Sequence, residues 1–103
     1  MGMRETTAQH EHLLAQLNEE RASALARISR TLESLLMQLH ATRVRIAEAR
    51  DEVRAREVAK YQELHQRATL YRWYLEVQRE ALGLRHHHRL DEFYRIPAPI
   101  ERE

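Results

Sequence analysis

Apolar side chains recur through the first half of the chain at alternating steps of three and four residues. Leu25, Ile28, Leu32, Leu35, Leu39, Thr42, Ile46, Ala49 and Val53 keep that rhythm without a gap. The repeat is the a/d pattern of a coiled coil, a single stripe along one side of a helix. Carried backward, the register puts Arg21 at d, Asn18 at a and Leu14 at d, so the stripe weakens toward the N-terminus. The expected helix-pairing seam is Leu25, Ile28, Leu32, Leu35, Leu39, Ile46 and Val53.

A second run, Tyr61, Leu64, Ala68, Tyr71, Leu75, Gln78 and Leu82, has the same spacing in a phase displaced by one residue. Read as Ala49, Val53, Glu57, Tyr61 and Leu64, the junction advances in steps of 4, 4, 4 and 3. Such a stutter unwinds a supercoil locally and leaves the helix intact. The same shift is equally what a bend or chain reversal between Asp51 and Lys60 produces.

The ends of the helical region carry their own signals. Thr6 or Thr7 offers a hydroxyl to cap a first turn. Ala81-Leu82-Gly83-Leu84 has the glycine and following apolar residue of a Schellman C-cap. A short second helix is expected within residues 84–95, which hold His86, His87, His88, Phe93 and Tyr94. Pro97 and Pro99 hold residues 96–103 extended, because each restricts itself and the residue before it. The organisation is thus a leader over 1–6, a helical coiled-coil domain over 7–83 with a register shift near 54–60, the short helix, and the tail.

The fold class is all-α, in one of two architectures. A continuous helix from Thr7 to Leu82 would be about 115 Å long and would need a partner along its length. An antiparallel two-helix hairpin turning near Asp51 to Lys60 would bury its two runs on each other. Helix lengths above about 25 residues favour the hairpin, and the lack of glycine and proline between Gly2 and Gly83 favours the continuous helix.

Composition narrows the chemistry. The 103 residues are 32% charged with a formal net charge of +1, so no global field selects nucleic acid or an acidic surface. There is no cysteine, which excludes disulfides and thiolate metal sites and fits a cytoplasmic protein. No stretch approaches the roughly 20 apolar residues of a membrane span. Gly2 sits in a short myristoylation-like pattern ending at Thr6. No cysteine nucleophile, glycine-rich phosphate loop or Gly-x-Ser-x-Gly elbow occurs. The sequence therefore predicts a protein that is not an enzyme, with no cofactor and no small-molecule substrate.

Three features remain as functional candidates. Leu70, Trp73, Tyr74, Val77, Ala81 and Leu84 form a second apolar stripe beside Tyr71, Leu75 and Leu82. A helix apolar on two faces meets two neighbours, so Tyr71, Trp73, Tyr74 and Val77 are the expected partner-binding residues, unless Phe93 folds back over them. The run Arg43, Arg45, Arg50, Arg54, Arg56 and Lys60 could meet nucleic acid. Glu48, Asp51, Glu52 and Glu57 are interspersed with it, as on an ordinary solvated helix face. His86 to His88 suggest a metal, with His87, His88, Asp91 and Glu92 placed at i, i+4 spacing. The leading expectation is a coiled-coil structural or adaptor protein that pairs with itself or docks into a larger protein assembly.

Overall fold

The computed structural model describes residues 3–101, with side chains from Thr6 onward. The chain forms three helices, α1 (Met3–Glu48), α2 (Asp51–Ala81) and α3 (His88–Phe93), with no strand among the described residues. α1 and α2 pack together as an antiparallel hairpin. Arg45 Nε lies 3.2 Å from Glu57 Oε2 near the turn, and Arg21 Nη1 reaches the Ala81 carbonyl at 3.4 Å near the far end of α2. The protein measures 75 × 23 × 17 Å. α1 alone, at 1.5 Å per residue, accounts for about 69 Å of that length.

The hairpin is therefore the architecture adopted, and its reversal falls at Ala49 and Arg50, just ahead of the Asp51 to Lys60 window. No glycine is needed there. Arg50 is extended (φ −137°, ψ 158°) and Asp51 takes a left-handed φ of 55°, a conformation that Asp and Asn enter more readily than other side chains. Asp51 and Glu52 then place carboxylates in the first turn of α2, and Arg79 sits in its last, each sign opposing the helix dipole. α1 is already helical at Met3, so Thr6 and Thr7 lie inside the helix instead of capping it. Met1 and Gly2, and with them the myristoylation-like pattern, fall outside the described residues.

The core is the heptad seam closed on itself. Leu32, Leu35, Leu39 and Ile46 from α1 are buried against Val58, Tyr61, Leu64, Ala68 and Leu75 from α2, with Leu25, Ile28 and Tyr71 packed at its edge. Each fully buried leucine is worth roughly 1.5–3 kcal/mol. Thr42 occupies a seam position with no exposed surface. Its hydroxyl donates to the Gln38 carbonyl at 2.7 Å and accepts from Arg45 Nη2 at 3.0 Å, so the buried polar group is satisfied.

Val53 departs from the expected seam. It is 52% exposed, because the helix break at residues 49 and 50 resets the phase and turns Val53 outward on the first turn of α2. Val58 takes the core position that a reading through Glu57 passes over.

α2 ends as a Schellman motif. Leu84 N–H donates to the Arg79 carbonyl and Gly83 N–H to the Glu80 carbonyl, both at 2.9 Å, with Gly83 at φ +84°. From there the chain turns back along the hairpin. Leu90 of α3 is buried, and Tyr94, Ile96 and Ile100 pack onto the same core. The extended tail is held by side chains of α2: Tyr61 Oη donates to the Ala98 carbonyl at 2.7 Å, Gln62 Nε2 to Ile100 O at 3.0 Å, and His65 Nε2 to Pro97 O at 3.0 Å. α3 and the tail act as a strap over the two-helix core.

Candidate protein-docking surface

Helical spacing brings Leu70, Tyr74, Val77 and Ala81 into line on α2, in steps of 4, 3 and 4, with Trp73 alongside. This is a second heptad-like stripe, rotated away from the seam that faces α1. The strap runs elsewhere. Phe93, the alternative cover for the stripe, is 72% exposed, and the strap seats Leu90 and Tyr94 on the core instead. The side chains of Leu70, Trp73, Tyr74 and Val77 stay between 37% and 56% exposed, and Leu84 beyond the cap is open as well.

The stripe is preorganised. Tyr74 stands edge-on to Tyr71 with centroids 5.6 Å apart, and Trp73 leans on Tyr74 at 5.5 Å. Tyr71 itself is half-buried and packed against the core, so it anchors the aromatic group and Trp73 and Tyr74 present it. The charged neighbours are engaged internally. Arg72 spans Glu76 at 2.7 Å and Asp91 at 2.8 Å, Glu80 accepts from His87 Nε2 at 3.1 Å, and Arg79 Nη2 donates to the His86 carbonyl at 3.0 Å. Arg72 and Arg79 make these bonds on the side of α2 away from the strip, whose own side chains stay exposed.

The other candidate groups are arranged differently. Among the described residues no cluster of three or more metal-ligating side chains forms. His87 turns to Glu80 and Asp91 to Arg72, so the i, i+4 set of His87, His88, Asp91 and Glu92 is split among separate partners. His87 Nδ1 and Arg79 Nε are buried without a hydrogen bond. The hairpin gathers Arg43, Arg45, Arg50, Arg54, Arg56 and Lys60 at its turn end, together with Glu48, Asp51, Glu52 and Glu57. Arg45 is paired there with Glu57, so the tip stays mixed in sign. No helix of the described residues is long and apolar enough to cross a membrane.

No protein-family model, curated protein or solved structure matches this chain. The functional reading therefore rests on the surface itself.

Of the residues the sequence singles out for a partner, Trp73, Tyr74 and Val77 are exposed and Tyr71 packs against the core. Sequence reasoning did not anticipate the apolar patch on α1, where Leu13, Leu14 and Leu17 are all exposed. The backward extension of the register puts Leu14 at d, and what leaves it bare is the unequal length of the two helices, which depends on where the chain turns.

Proposed function

We propose that the protein is a non-enzymatic helical-hairpin adaptor, and that its α2 stripe receives an amphipathic helix of a partner protein. The observation that carries this reading is the spacing of an exposed apolar strip. Leu70, Tyr74, Val77 and Ala81 repeat like a coiled-coil seam, yet all four stay exposed among the described residues. A helix apolar at i, i+3/i+4 and i+7 is the ligand such a strip fits. Trp and Tyr are the usual anchors of such interfaces. The strip is bounded by exposed Arg67 toward the turn and exposed Arg85 beyond the cap, which favours a ligand helix with carboxylates at its ends.

Trp73 is the only tryptophan, so its emission reports directly on the strip. Titration with a synthetic helix of about 21 residues, leucine at a and d and glutamate at both ends, should shift Trp73 emission to the blue. Val77→Glu should abolish the shift while circular dichroism stays unchanged. An emission maximum that never moves, or one that moves equally in the Val77→Glu protein, would refute the docking strip. Binding to nucleic acid by the turn-end arginines is the second reading, and the four carboxylates interspersed with the six basic residues there argue against it.

A further inference from the structure

Residues 95–101 lie on the hairpin in the manner of a bound peptide. They have no regular secondary structure, and Pro97 and Pro99 hold them extended. Ile96 and Ile100 pack onto the core. One side of α2 meets three main-chain carbonyls of the segment: those of Pro97, Ala98 and Ile100 face His65, Tyr61 and Gln62. A carbonyl only accepts, so Nε2 of His65 carries the proton and all three α2 groups donate. The Tyr61 and His65 rings stand side by side, with centroids 6.1 Å apart. The bonds therefore read an extended backbone, and the two isoleucines supply the apolar anchors. Proline has no N–H, so a segment with alternate prolines presents mostly acceptors, which is what a row of donors suits. Recognition of a preformed extended segment in an aromatic-lined groove follows the same logic.

The tail fills this groove loosely. Tyr61 beneath it has no exposed surface, whereas none of residues 95–101 is fully buried. A cleft lined by Gln62, His65, Gln66, Pro99 and Ile100 stays open beside it. We infer that the groove is a binding site for an extended segment of a partner protein, of the pattern apolar-Pro-x-Pro-apolar, and that the chain's own tail occupies it as an internal competitor. The open cleft selects the occupant. A second copy would bring the same tail and leave the same cleft empty, whereas a foreign segment with a side chain reaching Gln66 would fill it. A tethered tail competes at an effective concentration on the order of 1 mM, so segments of equal fit are held off and better-fitting ones displace it. Tyr61, Gln62 and His65 lie on a different side of α2 from Leu70, Tyr74, Val77 and Ala81, so this site stands or falls apart from the strip.

The test uses the full chain and a fluorescein-labelled peptide copying residues 95–101. Ile96→Asp with Ile100→Asp puts charge where the groove takes apolar side chains, so the tail leaves it. That variant should keep the helicity of the wild type by circular dichroism. With protein titrated to about 1 mM, fluorescence anisotropy should show it binding the peptide at least about tenfold more tightly than the wild type, whose groove is already occupied. Adding Tyr61→Phe should weaken that binding about fivefold, through loss of one hydrogen bond. A peptide carrying the same two aspartates should not bind. Each of four results would overturn the proposal. A variant that loses its helicity would make the tail an integral part of the core. A folded variant that binds no peptide would leave the groove without a ligand. Equal binding by variant and wild type would place the peptide elsewhere. Wild-type dimers that the two aspartates dissolve would give the groove to a second copy.

Discussion

Between Leu25 and Ile46, α1 lays its heptad face against α2, and Leu32, Leu35 and Leu39 have essentially no surface left. Between Thr6 and Ser23 the same helix, in the same register, has its leucines in solvent. The two halves do not differ in helix propensity, since both are rich in Ala, Leu, Glu, Arg and Gln. They differ in whether a second helix lies alongside. An apolar repeat states that a partner surface is needed; the site of the chain reversal decides which part of the repeat this chain can cover for itself.

The sharpest way to break the paired half is to place a charge in it. Leu35→Asp should cost at least about 3 kcal/mol, because it loses the burial of the leucine and strands a carboxylate in the core. The hairpin should then lose most of its helicity in a thermal melt followed by circular dichroism; a cooperative melt at the wild-type temperature would mean Leu35 is not in the seam. A smaller effect should come from the reversal that creates the pairing. Asp51→Val forces a β-branched residue to φ 55°, at a cost of about 1–2 kcal/mol. Asp51→Gly should show no such loss, and urea midpoints of the two variants should separate accordingly. Identical midpoints would place the turn elsewhere. The smallest effect belongs to the bare half. Leu13→Ser should leave the melting temperature of dilute protein within the error of measurement, about 0.5 kcal/mol or less. A loss comparable to that of a core leucine would show that the overhang is packed within the monomer.

Much of the fold was legible in the residues. The seam from Leu25 to Ile46, the second run from Tyr61 to Leu75 and the glycine cap at Gly83 all follow from local chemistry, because a heptad and a Schellman motif are properties of short windows. The turn was less legible. Its only sequence mark is Asp51, and a stutter and a reversal leave the same displaced phase. Val53 falls off the core and Val58 on it for that reason. The strap was partly legible: Pro97 and Pro99 made the tail extended, but the choice of Leu90, Tyr94, Ile96 and Ile100 over Phe93 depends on the groove they enter. The strip at Trp73, Tyr74 and Val77 was visible as excess apolar surface. Its exposure was not, because it depends on where the strap lies.

The strap also decides how the molecule would respond to tension. It runs from Gly83 back toward the turn, with Ile100 beside Gln62, while residue 6 lies at the opposite pole. A load applied between these points pulls the strap along its own length, parallel to the helices. The bonds at Tyr61, Gln62, His65 and Arg72 would then be strained together in shear, not opened in succession as in peeling. A rod built this way would resist stretching along its axis more than its thin C-terminal layer suggests.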